Sequence, residues 1–69
     1  MLQEIEKLLD EVTRCGLRHG WSDTRIGEEY GDRAVIHRAR RGLAEGRVRL
    51  QRGTIKRLRT FMARTDVAV

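Results

Sequence analysis

The sequence predicts an all-α fold, a compact bundle of four to five short helices within one domain. Three observations carry this. Apolar residues recur at spacings of three and four along most of the chain, no stretch reads as a convincing strand, and glycines with helix-capping residues fall between the periodic segments. At 69 residues a chain buries only roughly 60% of its unfolded surface, so its core is small and is often supplemented by a partner subunit.

Leu2, Ile5, Leu8, Leu9 and Val12 define the first helix, with Glu4, Glu6, Lys7, Asp10 and Glu11 between them. Its acids lie early and Arg14, Arg18 and His19 lie late, which suits the helix dipole. It ends either at Gly16, with Leu17 folding back, or at His19 with Gly20 as a left-handed cap. Gly20 is favoured, because Trp21 and Ser22 then begin the next helix without a long gap.

Ser22 is a good N-cap, Asp23 adds a first-turn carboxylate, and Trp21 with Ile26 has the spacing of a hydrophobic staple. The second helix therefore runs from Asp23 to about Tyr30. Gly31 ends it with a positive φ, and Asp32 caps a third helix at once. Helices joined so tightly cross steeply, and Gly27, costing about 0.8–1 kcal/mol relative to Ala, implies a backbone packed against it. The third helix spans 33–41 and ends at Gly42. Its inward stripe is Val35, Ile36 and Ala39; Arg33, Ala34, His37, Arg38 and Arg41 face outward.

Residues 43–53 read as a loop, with a short extended piece at 48–50 that is either a wing or a plain linker. From Thr54, capped by Gly53 or Thr54, the residues Ile55, Leu58, Phe61 and Met62 give a last amphipathic helix. The domain spans 1–64, and 65–69 is expected to be a flexible tail.

Charge is distributed unevenly. Residues 1–20 carry four acids and three bases, 21–32 four acids and one base, and 33–69 two acids and eleven bases, within a net charge of +5. Such a basic block points to a polyanion. Arginine outnumbers lysine thirteen to two, and arginine suits bidentate phosphate and guanine contacts.

Ile26-Gly27-x-x-Tyr30-Gly31, followed by Ile36 and Ala39, resembles the helix-turn-helix of Cro/CI-type phage repressors. Gly31-Asp32, Val35-Ile36 and Ala39-Arg40-Arg41-Gly42 are also similar to small prophage-like regulators. The resemblance covers 21–42 well, with the motif at 22–42, and the Thr54–Met62 helix loosely. Ile36 follows Gly31 by five residues, one fewer than the usual repressor pattern. The resemblance implies a second helix lying in the major groove of double-stranded DNA, with Arg33, Ala34, His37 and Arg38 at base edges. It puts Arg41 at a phosphate and gives Ser22, Thr24 and Arg25 phosphate contacts, with Glu28 and Glu29 facing away. If 43–53 is a wing, Arg47, Arg49 and Arg52 grip phosphate as well. His37 reads equally as an ordinary exposed residue.

The expected function is a sequence-specific transcriptional regulator, a repressor, bound as a homodimer to a palindromic operator, since one short helix contacts few base pairs. A repressor need only occupy a promoter. An activator or polymerase-recruiting cofactor, working alone or with a second DNA-bound factor, is the alternative, as is an RNA-binding or antitoxin-like interaction module. RNA readers stack bases on exposed aromatics, whereas Trp21, Tyr30 and Phe61 lie on apolar stripes. No enzyme is expected, because no carboxylate pair, phosphate loop or nucleophile–base pair stands out around Cys15, His19 and His37. No cofactor and no metal are expected: one Cys and two His fall short of a structural zinc set. Cys15 reads as a small core residue of a reducing compartment. With no long apolar run and no basic leader, the expected location is the cytoplasm, on the nucleoid.

Overall fold

Four helices, α1 (Leu2–His19), α2 (Asp23–Tyr30), α3 (Val35–Ala44) and α4 (Arg52–Val67), lie within residues 2–67, which the computed structural model describes. No strand occurs among the described residues. α1 is the hub. It packs against the other three helices, and α2 packs against α3. Its stripe of Ile5, Leu8, Leu9, Val12 and Cys15 is buried, while Leu2 stays partly exposed at the margin. Ile26 from α2, Val35, Ile36 and Ala39 from α3, Leu50 from the following loop and Ile55, Leu58 and Met62 from α4 close the core. Each fully buried Leu, Ile or Val contributes about 1.5–3 kcal/mol, so α1 is held mainly by these contacts.

Three of the helices end on one repeated device, a glycine four residues ahead of a second glycine. At α2, Gly31 adopts φ 111° and its N–H donates to the Gly27 carbonyl at 2.9 Å, while the Asp32 N–H donates to the same oxygen at 2.8 Å. The chain thus folds straight back over Gly27. A Cβ there would lie 2.6 Å from the Asp32 carbonyl oxygen and 2.7 Å from that of Arg33, so only glycine fits. The pair Gly16/Gly20 repeats this at α1, where the Trp21 N–H donates to the Gly16 carbonyl at 2.9 Å. This settles the end of α1 in favour of Gly20, and Leu17 points to solvent, 80% exposed. Gly42/Gly46 repeats it at α3, with the Arg47 N–H 2.7 Å from the Gly42 carbonyl.

The third pair displaces α3 relative to the 33–41 expected from sequence. Gly42 lies inside the helix, buried beneath Arg47 and Arg49, and the helix runs on to Ala44. At the other end the Asp32 carboxylate accepts the Ala34 N–H at 3.1 Å and its carbonyl accepts the Val35 N–H at 3.1 Å. Asp32 therefore closes the turn ahead of the helix rather than capping the helix itself as expected: the N-cap is Ala34, without a side-chain bond, and Arg33 and Ala34 belong to the turn rather than to the helix.

Two further differences concern α4. It starts at Arg52, ahead of Thr54, because the Gln51 carbonyl already accepts the Ile55 N–H at 3.1 Å; Gly53 lies inside the first turn. It also continues through Thr65, Asp66 and Val67, where the sequence suggests a tail. Asp66 is held against α1 by Arg18 and His19, which explains the extension. Ala68 and Val69, the rest of that expected tail, lie outside the described residues. The 47–51 segment has no regular secondary structure, and Leu50 anchors it in the core. None of these helices is long and apolar enough to cross a membrane.

Candidate nucleic-acid interface

The inward stripe of α3 is fully committed to the core, with Val35 and Ile36 0% and Ala39 1% exposed. Because α-helical side chains one and two positions away point elsewhere, His37, Arg38 and Arg41 are driven outward, and all three are exposed. Arg33 and Ala34 are exposed too, in the turn leading into the helix. Three of the five thus lie along the outward side of α3, with Arg41 in its last turn, and two on its approach.

Two of them are engaged. His37 Nε2 lies 2.9 Å from Thr24 Oγ1, which ties the outward side of α3 to the first turn of α2. Arg38 donates to both Asp32 carboxylate oxygens, at 2.7 and 3.4 Å. This bond, helped by the Ala34 N–H, holds the Asp32 carboxyl below its ordinary value of 3.8 and raises the Arg38 guanidinium above its own. Arg33 and Arg41 make no ion pair among the described residues.

The residues expected at phosphate around the start of α2 fall together. Ser22 Oγ accepts the Arg25 N–H at 3.2 Å, capping the helix. Arg25 pairs with Glu29 at 2.9 Å and its guanidinium carbon lies 5.6 Å from the centre of the Trp21 ring. Glu29 is thereby placed beside Arg25, and Glu28 is exposed. The loop arginines are less closely joined to α3: Arg47 and Arg49 fold over Gly42, Arg49 pairs with Glu45 at 2.9 Å, and Arg52 opens α4. All three are exposed, but none bonds to residues 33–38.

Nothing among protein-family models, curated proteins or solved structures matches this chain. What the surface can do follows from its side chains. An exposed face carrying guanidinium, imidazole and hydroxyl groups, flanked by a capped helix N-terminus, can donate hydrogen bonds to phosphate oxygens and to guanine O6 and N7. Donors dominate it.

One residue that orders this surface was not singled out in the sequence. Arg40 donates to Asp23 through Nε at 2.7 Å and Nη2 at 3.2 Å, and to Thr13 Oγ1 through Nη2 at 2.9 Å. It links α3 to the first turn of α2 and to the middle of α1. Its partner lies seventeen residues away, beyond any periodic signal; the only hint was an arginine on the flank of the buried stripe. The fold also collects Cys15, His19 and Asp66, three side chains of metal-ligand type from α1 and α4. None of the three was joined to another from the sequence.

Proposed function

We propose that the chain is a sequence-specific double-stranded DNA-binding transcriptional regulator, a repressor, that lays α3 in the major groove. The observation that carries this is the division of α3 into a fully buried Val35–Ile36–Ala39 side and an exposed His37–Arg38–Arg41 side. A helix pinned from below with donors on its outer surface is what groove entry requires. Arg33, Ala34, His37 and Arg38 are assigned to base edges, and Arg41, Ser22, Thr24 and Arg25 to phosphates. Arg47, Arg49 and Arg52 add sequence-independent phosphate contacts. His37 reads a base through the ring edge that Thr24 leaves unused, and Arg38 pivots on Asp32.

A second copy supplies the remaining selectivity, so the assembly on DNA is a homodimer on a palindrome, in the cytoplasm at the nucleoid. Occupying a promoter suffices for repression. RNA stacking is less well supported, since Trp21, Tyr30 and Phe61 all pack against the core. Selection from pooled duplex oligonucleotides with the purified protein, repeated across salt concentrations, tests the proposal. A two-fold-symmetric motif is expected, and an unenriched pool would overturn it.

A further inference from the structure

Cys15 and His19 lie four residues apart on α1 and so share one face of it. α4 packs alongside and brings Asp66 to the same place. Asp66 Oδ1 is 2.9 Å from His19 Nε2, and Cys15 Sγ, a His19 ring nitrogen and an Asp66 oxygen all fall within 4.8 Å of one another. We propose that these three atoms bind one divalent transition-metal ion, zinc by ligand type, which clasps the last turns of α4 to the end of α1.

The donor set supports a specific ion. Sulfur, imidazole nitrogen and carboxylate oxygen together suit zinc and its spectroscopic substitute cobalt rather than magnesium or calcium. In a tetrahedral site with bonds of about 2.0–2.3 Å, ligand atoms sit about 3.3–3.6 Å apart. Side-chain adjustments of about an ångström reach that from the present separations, and a water completes the fourth position.

Neighbouring groups already orient the ligands. Arg18 holds the Asp66 carboxylate at both oxygens, Nη2 to Oδ2 at 2.6 Å and Nε to Oδ1 at 3.3 Å, with Oδ1 also facing His19. The His19 ring rests on Trp21 with centroids 5.1 Å apart. Contacts of this kind fix ligand orientation in metal sites. A groove of about 290 Å³ lined in part by Arg14, Arg18, Arg59 and Asp66 opens the Asp66 side of the cluster to solvent.

Charge also balances. Thiolate and carboxylate neutralise a dication, and the Cys15 thiol proton passes to buffer as the metal–sulfur bond forms. Ligation by the thiolate displaces its proton, so metal binding strengthens as pH rises. The site is independent of the DNA reading.

The test is titration of the untagged, reduced chain with cobalt(II) alone. A thiolate-to-cobalt charge-transfer band saturating at one equivalent is expected, bleached by zinc. Zinc should also raise Tm, by about 10 °C or more at roughly a hundredfold excess over Kd. Cys15→Ser removes the band; since Cys15 is buried, His19→Gln and Asp66→Asn provide variants at less buried positions, each weakening cobalt binding at least about tenfold. A folded chain without the band, or one whose affinity both variants leave unchanged, overturns the proposal.

Discussion

Asp32 grips Arg38 through both carboxylate oxygens, at 2.7 and 3.4 Å, across the turn that opens α3. The acid that caps the turn also aims the guanidinium beside it. Structure and proposed recognition thus meet in one pair, and its properties can be measured.

The first expectation is titrimetric. Asp32 has a folded-state pKa lowered by the Arg38 bond first and the Ala34 N–H second. A lowered carboxylate contributes stability that is present above its unfolded value and lost as pH falls through the folded one. An NMR titration should place the Asp32 midpoint below 3.8, and Arg38→Ala should move it upward. A midpoint indifferent to that substitution would remove Arg38 as the cause.

DNA binding separates the arginines. Arg38→Ala should lower affinity for the selected site by about 1–3 kcal/mol while barely changing affinity for random duplex. Arg49→Ala should weaken both alike and flatten the salt dependence. Equal losses on the two DNAs for Arg38→Ala would contradict its assignment to base readout.

Two glycines should respond oppositely to alanine. Gly27→Ala places a methyl within 2.7 Å of two backbone oxygens, and relieving that overlap should cost about 1–3 kcal/mol, a fall in Tm of roughly 5–20 °C. Gly53 meets only the movable end of Arg57, at 3.3 Å, within the first turn of α4. Gly53→Ala should therefore stabilise by about 0.4–1 kcal/mol. Thermal denaturation followed by circular dichroism reads both.

Arg40 should act as a strut. Arg40→Met retains most of the stem but loses three hydrogen bonds, and a destabilisation of about 1–2 kcal/mol is expected. In a double-mutant cycle with Asp23→Asn the two losses should fall short of additive by at least about 0.5 kcal/mol. Strict additivity would mean the pair contributes no coupling.

The sequence by itself determined what repeats locally. The three-and-four spacing placed α1, the Asp23–Tyr30 limits of α2 and the apolar side of α4, and the capping roles of Ser22, Gly20 and Gly31 could be read directly. Of the outward set, His37, Arg38 and Arg41 were equally legible, because burying Val35, Ile36 and Ala39 leaves their neighbours nowhere to go but out, whereas Arg33 and Ala34 lie in the turn ahead of the helix. These are consequences of a 3.6-residue period and of glycine's backbone freedom, both carried by nearby residues.

Tertiary structure alone decided the rest. Whether Gly42 ended α3 or lay within it depended on the returning chain at Arg47, and whether α4 reached Asp66 depended on Arg18 and His19 near the far end of α1. Arg40 with Asp23, Thr24 with His37, and Asp66 beside Cys15 are likewise meetings of distant residues. Periodicity says which way a side chain points along its own helix; only the docking of one helix on another says what it finds there.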